Sequence, residues 1–224
     1  LGSDGTVGAN KNTIKIIGSH TDLYSQAYFD YDSKKSGGYT CSHLRFGKSP
    51  IHAPYLVNTP DFVACHVPSY LEKYDVLKGI EEGGSFLLNS LWDEKETLER
   101  LPDHVKSVIG RKHINLYIIN ATKIAAEIGL GGRTNTILQS AFFRITGIIP
   151  AEDAVKYMKA AALKSYGKKG ENVVNMNYAA IDRGGEYVKV EVPAEWANIN
   201  AKFVNHNAER LATPFVKEIA DKVN

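Results

Sequence analysis

The sequence has no long apolar run. None of its stretches approaches the roughly 20 apolar residues that a bilayer-spanning helix needs. Its first residues also lack the basic, apolar and small-residue succession of a secretory signal peptide. We therefore expect no membrane association and a cytoplasmic location.

Cysteine is scarce, and so is an excess of charge of either sign. The two cysteines, Cys41 and Cys65, do not form a C-x-x-C pair, which argues against a zinc or iron–sulfur site. We interpret them as buried thiols, and their spacing leaves a disulfide open. The 27 basic residues nearly balance the 25 acidic ones, and the net charge of +2 is too small to indicate a nucleic-acid partner. Because His66, His104 and His113 show no metal-ligand spacing, we assign them no role.

Hydrophobic residues, by contrast, make up 43% of the 224 residues, which is enough for a full core. Strand-like apolar runs alternate with segments of helical periodicity, which predicts an α/β domain whose mainly parallel or mixed sheet is flanked by helices. The predicted strands are 23–31, 39–46, 62–67, 85–91, 114–119 and 187–192. The predicted helices follow the first loop and Pro68 and then span 93–101, 121–128, 134–145, 150–166 and 171–181.

The periodicity weakens beyond Pro193. Residues 1–193 are therefore the predicted domain, and residues 194–224 are predicted to be a linker or strap toward a further domain, with a short helix at 213–223.

A glycine-rich loop, GSDGTVGAN, opens the sequence. Gly2, Gly5 and Gly8 are three residues apart, so the backbone can approach a ligand without hindrance from side chains. The free N–H groups and the dipole of the helix that follows favour an anion, and Asp4 is the predicted N-cap of this helix. The loop predicts a phosphate site, and the alternative is a tight turn that binds no ligand.

Two further loops could contribute to the same site. The segment DSKKSGG carries Lys34 and Lys35 at the predicted carboxyl end of a strand, where ligands bind in open α/β sheets. Its alternative is a solvated surface turn. The segment GLGGRTN either completes a ligand cleft through Thr134 and Asn135 or caps helices.

Several of these segments together resemble the gamma-type domain of the pyruvate:ferredoxin (or flavodoxin) oxidoreductases, which is the third domain of the large single-chain enzymes. The resemblance is carried by LGSDGTVGANKNTIKIIG, AYFDYDSKKSGGYTCSHLRFG, DFVACH, FLLNS, INLYIINATKIAAEIGLGGRTNTILQSAFF and YGKKGENVV. It runs from Leu1 to about Ile181 and more loosely through the tail.

This resemblance implies an enzyme that converts pyruvate, coenzyme A and oxidised ferredoxin or flavodoxin to acetyl-CoA, carbon dioxide and reduced carrier. Thiamine diphosphate, magnesium and iron–sulfur clusters would belong to other domains, and this domain would hold coenzyme A. The expected partners are those other domains, a dimer mate and the electron carrier. The alternative is a docking or assembly module without a role in coenzyme binding.

The residues that the resemblance assigns to coenzyme A fall in the three loops. They are Gly2, Ser3, Gly5, Thr6, Val7, Lys34, Lys35 and Asn135. No catalytic residue and no metal ligand are assigned. Because the redox centres would belong to other domains, we expect the isolated chain to be inactive. Because a phosphate-binding glycine loop normally follows a strand and none precedes this one, we expect both ends to be cuts within a longer protein.

Overall fold

The computed structural model of the chain describes residues 1–2, 5–31 and 39–204. Its strands are β1 Tyr24–Tyr31, β2 Thr40–Gly47, β3 Phe62–Cys65, β4 Ser85–Asn89, β5 Asn115–Ile119 and β6 Val188–Val190. Its α-helices are α1 Thr6–His20, α2 Tyr70–Lys73, α3 Glu94–Arg100, α4 Asp103–Arg111, α5 Ala121–Glu127, α6 Asn135–Thr146, α7 Ala151–Tyr166 and α8 Glu171–Arg183. Short 3-10 helices follow at Gly167–Lys169 and Ala194–Asn198.

Four strands form the central sheet, in the order β3-β4-β5-β6. Strands β3, β4 and β5 are parallel, and β6 is antiparallel to β5. Strand β4 is apolar on both faces: Phe86 and Leu88 pack in a core with Val105 and Ile109 of α4, while Leu87 packs on the opposite face against α5, α6 and α8. Helices therefore cover both faces of a mixed sheet, which confirms the predicted fold class.

Strands β1 and β2 form a separate antiparallel pair. Strand β1 ends at Tyr31, as predicted, but it belongs to this antiparallel pair and not to the parallel sheet. The loop 32–38 that follows it lies outside the described residues. Helix α1 covers one face of the pair, and residues 53–57 cover the other only in part, so that Tyr24 and Tyr28 expose about half of their surface. A half-covered strand of this kind is typical of antiparallel pairs rather than of parallel sheets buried on both faces.

Helix α4 packs against residues 194–199, which follow β6, in a contact that the sequence pattern does not predict. Trp196 is buried against α4, where Gly110 leaves room for its backbone. The carbonyl of Ile199 accepts hydrogen bonds from Ser107 Oγ at 2.7 Å and from Arg111 Nη2 at 2.8 Å. The domain boundary at residue 193 stays a prediction, and the predicted helix at 213–223 lies outside the described residues.

None of the helices in the described ranges is both long and apolar enough to cross a membrane. The two cysteines are free thiols, Cys65 buried and Cys41 partly buried.

Candidate functional site

The carboxyl ends of the three parallel strands meet at one edge of the central sheet. His66 directly follows β3, Asn89 ends β4, and Asn120 follows β5 and caps α5 by accepting the Lys123 N–H at 2.9 Å. In open α/β sheets ligands bind at this edge. The polar residues at this edge are therefore the first place to look for a site.

Asn89 joins three of the elements that meet here. Its side chain is 4% exposed, and its amide Nδ2 donates to the His66 carbonyl at 3.0 Å and to Thr122 Oγ1 at 3.2 Å. Its Oδ1 accepts the Ala121 N–H at 3.0 Å. One buried amide therefore fixes the end of β3 and the start of α5 relative to β4.

Asn135 joins the two glycine-rich loops. Its Oδ1 lies 3.3 Å from Thr6 Oγ1 and 3.3 Å from His66 Nδ1. Since an amide oxygen only accepts, His66 donates from Nδ1 and leaves Nε2 as an acceptor. A Cβ at Gly5 would lie 2.5 Å from Asn135 Nδ2, so glycine is required there for the loops to approach. Residues 129 positions apart are thereby in contact.

Two helix amino termini face this junction. Helix α1 begins at Thr6 with Gly5 as its N-cap, and α6 begins at Asn135 with Thr134 as its N-cap. Gly5 has no side chain that could cap α1, and the side chain of Thr134 makes no capping hydrogen bond to α6. Neither helix has an acidic residue in its first turn. The first-turn N–H groups have no partner within the helix, so they and the helix dipoles favour an anion. The prediction of Asp4 as the N-cap of α1 is wrong, because the left-handed Gly5 (φ 83°) takes that position.

A cavity of about 150 Å³ lies between these elements. It is lined by Thr6, His66, Val67, Asn89, Thr122, Gly132, Thr134 and Asn135. None of these carries a formal charge when the histidine is neutral. The described lining therefore offers hydrogen bonds and helix dipoles rather than a positive side chain.

His66 stays neutral in this setting. Burial lowers the pKa of its imidazole to about 3, the positive amino group of Leu1 lowers the pKa further, and the hydrogen bond to Asn135 opposes the shift. The neutral imidazole acts as a hydrogen-bonding group near neutral pH.

The structure brings together several of the predicted site residues. Gly5, Thr6 and Asn135 lie at the junction, and Val7 is in the first turn of α1. Gly2 is engaged in strand pairing, since its N–H donates to Thr40 and its carbonyl accepts from Thr40 and from the Tyr70 hydroxyl. Ser3, Lys34 and Lys35 lie outside the described residues.

The sequence analysis missed His66, Asn89 and Thr122. His66 and Asn89 follow the apolar runs FVAC and SFLL at the carboxyl ends of β3 and β4. The rule that ligands bind at strand carboxyl ends would have selected both. Thr122 carries no such signal.

No group of three potential metal-ligating side chains occurs among the residues that the structure describes. His43 and Arg45, which face the same side of β2, bind the loop that follows it: His43 Nδ1 accepts the Val57 N–H at 3.2 Å and Arg45 donates to the Leu56 carbonyl at 2.8 Å.

The fold is an α/β fold similar to that of two solved oxidoreductase subunits. The pyruvate oxidoreductase subunit PORC from Thermotoga maritima superposes with a TM-score of 0.63 at 23% identity, covering 83% of this chain and 90% of the subunit. The keto/oxoacid ferredoxin oxidoreductase gamma subunit from Geobacter sulfurreducens gives a TM-score of 0.56 at 17% identity, with the same coverage. At these identities the likeness shows the fold alone.

The sequence comparison identifies the family. A family model described as pyruvate ferredoxin/flavodoxin oxidoreductase matches residues 1–187, and the chain belongs to this family. It is 57% identical to a pyruvate:ferredoxin oxidoreductase from Moorella thermoacetica over 199 residues, which is 88% of this chain and 17% of that protein. It is 51% identical to a pyruvate-flavodoxin oxidoreductase from Enterobacter agglomerans over 225 residues, 100% of this chain and 19% of that protein.

A third relative, the pyruvate dehydrogenase [NADP(+)] from Cryptosporidium parvum, is 53% identical over 183 residues, 81% of this chain and 10% of that protein. The chain therefore spans less than a fifth of the length of these relatives.

Proposed function

We propose that this chain is the coenzyme-A-binding part of an enzyme that oxidatively decarboxylates pyruvate and passes two electrons to ferredoxin or flavodoxin. The observation that carries the proposal is the contact between the two glycine-rich loops at Asn135, where the uncapped amino termini of α1 and α6 converge. Helix amino termini bind phosphate through free N–H groups and the helix dipole. Membership of the family identifies coenzyme A as the phosphate-bearing ligand to test.

The size of the cavity limits which part of the coenzyme it can accept. A volume of about 150 Å³ is well below the range of roughly 300–1,000 Å³ of pockets for drug-sized ligands. It suits a phosphate group, and the rest of the coenzyme would lie outside it. Coenzyme A would supply the thiol that becomes acylated, while this chain would position its phosphates.

The donors in the proposal come from three places. The backbone N–H groups of Gly5, Thr6 and Val7 and the side chain of Asn135 would bind phosphate oxygens. Ser3, with Lys34 and Lys35, would add a hydroxyl and positive charge. The two lysines lie between Tyr31 and Thr40, which are paired in the β1–β2 register, and Thr40 is bonded to Gly2. The two loops therefore start from neighbouring positions, which supports a shared role.

Thiamine diphosphate, magnesium and iron–sulfur clusters would lie in other parts of the enzyme. The described residues contain no cluster of cysteines and no metal-ligating group, so the proposal assigns no redox or catalytic step to them. The relatives are named for ferredoxin, flavodoxin and NADP⁺ at similar identity, which favours an acceptor specified elsewhere in the enzyme. The chain alone would give no pyruvate-dependent dye reduction.

Calorimetric titration with coenzyme A and with its 3′-dephospho form tests the proposal. The double variant Lys34→Ala/Lys35→Ala should bind coenzyme A at least about tenfold more weakly, because each lysine contributes charge-assisted contacts to phosphate. The matched control is Lys168→Ala/Lys169→Ala, an exposed lysine pair after α7, which should leave the affinity unchanged.

The same titration repeated on the full-length enzyme gives the decisive comparison. Unchanged coenzyme affinity in the Lys34/Lys35 variant of that enzyme would contradict the proposal and favour a docking module. In the unaltered enzyme, removal of the 3′-phosphate from the coenzyme would weaken binding if the lysines contact that phosphate. In the lysine variant, coenzyme A and its 3′-dephospho form would then bind equally well.

A further inference from the structure

The side-chain amide of Asn135 has two different ends, and the structure gives them different neighbours. Its nitrogen Nδ2 is the described atom nearest to the position that a Cβ on Gly5 would take, at 2.5 Å. Gly5 is the N-cap of α1, so this nitrogen lies at the amino terminus of that helix. The oxygen Oδ1 lies 3.3 Å from Thr6 Oγ1 and 3.3 Å from His66 Nδ1.

The end of the amide that faces Gly5 decides how this helix terminus treats an anion. An amide NH₂ group donates hydrogen bonds and carries partial positive charge, so it adds to the attraction that the first-turn N–H groups exert. An amide oxygen in the same place would accept hydrogen bonds from those N–H groups and would repel the anion. One orientation of the side chain therefore favours a phosphate, and the other disfavours it.

The two groups that contact Oδ1 differ in how strictly they select this orientation. Thr6 Oγ1 donates one hydrogen bond, but a hydroxyl can donate or accept and would fit either end of the amide. A neutral imidazole that carries its proton on Nδ1 can only donate from that atom. The protonated Nδ1 of His66 is therefore the group that requires the oxygen of Asn135, rather than its nitrogen, on this side.

The backbone of His66 holds its imidazole in place. The His66 N–H donates to the Leu1 carbonyl at 2.8 Å, and the His66 carbonyl accepts from Asn89 Nδ2 at 3.0 Å. Asn89 is fixed in turn, because its Oδ1 accepts the Ala121 N–H at 3.0 Å. The ring therefore reaches Asn135 from a residue that is bonded to its neighbours through both of its backbone groups.

We propose that His66 is a positioning residue for Asn135: its Nδ1–H keeps the amide oxygen on the His66 side and the amide nitrogen at the amino terminus of α1. This role rests on the proposed function, since the anion that benefits from the orientation is a phosphate of coenzyme A. His66 does not contact the coenzyme and takes part in no chemical step. It acts through Asn135, which distinguishes it from a residue that only stabilises the fold.

His43 is a matched control within the same chain. Burial lowers the pKa of His43 as it lowers that of His66, so both imidazoles are neutral slightly above neutral pH. Nδ1 of His43 accepts the Val57 N–H at 3.2 Å, which leaves its proton on Nε2. The structure therefore assigns opposite tautomers to the two histidines.

Nitrogen-15 NMR of the histidine rings in this chain, recorded slightly above neutral pH, tests the tautomer of His66. A ring nitrogen that carries a proton is distinguished from one that does not, and the signals that disappear in His66→Asn and in His43→Asn assign the two residues. We expect the proton of His66 on Nδ1 and that of His43 on Nε2. A proton on Nε2 of His66 would overturn the proposal, because Nδ1 would then accept from the amide nitrogen of Asn135.

Steady-state kinetics of the full-length enzyme test the effect on the coenzyme. His66→Leu removes the donor and should raise the KM for coenzyme A about tenfold, the factor expected for one lost hydrogen bond to a charged group. The kcat should change by less than about twofold, because no chemical step involves His66. His66→Asn places an N–H group where Nδ1 was, in a side chain shaped like leucine, and should keep KM within about threefold of the unaltered enzyme. His43→Leu should leave KM unchanged.

A double-mutant cycle with Asn135→Ala separates positioning from general stabilisation. If His66 acts through Asn135, adding His66→Leu to Asn135→Ala should not raise KM further. Additive effects of the two substitutions would overturn the proposal, and so would a rise of KM in His66→Asn as large as that in His66→Leu. The NMR measurement does not need the leucine variant, so it decides the proposal even if that variant fails to fold.

The variant Lys34→Ala/Lys35→Ala in the same assay distinguishes failure of the positioning role from failure of the proposed function. A raised KM in the lysine variant with an unchanged KM in His66→Leu would overturn the positioning role alone. An unchanged KM in both variants would overturn coenzyme binding by this chain, and the positioning role with it.

Discussion

The carboxyl end of β3 and its lateral edge differ in how their polar groups are satisfied. At the carboxyl end, the buried amide of Asn89 and the side chain of Asn135 hold neighbouring elements through hydrogen bonds of 3.0 to 3.3 Å. Along the edge, backbone groups of Phe62 and Ala64 face a wide gap between β3 and β2 that polar as well as apolar side chains line. In the first region residues of this chain satisfy the polar groups, whereas along the edge the described residues supply one such contact, from Leu1 to the Ala64 carbonyl.

The largest expected effect lies at the carboxyl end. Asn89→Ala removes three hydrogen bonds and leaves the His66 carbonyl and the Ala121 N–H without that partner. Because unsatisfied buried groups are expensive, the free energy of unfolding should fall by about 3 kcal/mol. Urea unfolding followed by circular dichroism measures the change.

Asn115→Ala is the matched control for this experiment. Asn115 lies at the opposite end of the sheet, and its side-chain amide donates to the carbonyl of the exposed Gly83 at 2.9 Å and to that of the buried Gly84 at 3.4 Å. Water can replace the bond to Gly83, and the Gly84 carbonyl keeps the backbone N–H of residue 115 as a partner, so the loss should be about 0.5–1 kcal/mol. Equal losses for the two variants would show that the hydrogen bonds of Asn89 stabilise the fold no more than those of Asn115.

A smaller effect is expected from the protonation of His66. Its folded pKa of about 3 lies below the ordinary value of 6.5, so the unfolded chain binds the proton more tightly. The contribution of neutral His66 to the free energy of unfolding is fully present above pH 6.5, and it is lost as the pH falls toward 3. Between pH 7 and 5.5 this group alone should lower the free energy of unfolding by about 1 kcal/mol.

His66→Gln should flatten this part of the pH profile, because glutamine keeps a hydrogen-bonding group without a proton to gain. His43→Gln is the comparison, since burial also lowers the pKa of His43 and contributes with the same sign. The free energy of unfolding, measured for both variants at the same pH values, shows how much each histidine contributes to the acid sensitivity. An unchanged slope in His66→Gln would assign the acid sensitivity elsewhere.

Local sequence patterns predict much of the fold but little of the contact between distant loops. The apolar runs FLLN and INLYII predict β4 and β5 because strands buried on both faces are continuously apolar. The contact of Thr6 with Asn135 could not be predicted from spacing, because it depends on how α1 and α6 pack in three dimensions. The separation of β1 and β2 from the main sheet was missed for a related reason: the partner of an edge is set by tertiary pairing rather than by the strand's own residues.

The smallest expected effect, at Ser42, sharpens the contrast between the two regions. Ser42 Oγ is buried beside the gap between β2 and β3 and has no hydrogen-bond partner among the described residues. Ser42→Ala removes a polar group that gains nothing from folding, so the free energy of unfolding should change by less than about 0.5 kcal/mol or rise slightly. Ser140→Ala is the control: Ser140 is 1% exposed and its Oγ donates to the Ile181 carbonyl, so this variant should lose about 1–2 kcal/mol. A loss at Ser42 as large as that at Ser140 would mean that the Ser42 hydroxyl, on β2 across the gap from β3, already has a hydrogen-bond partner in this chain.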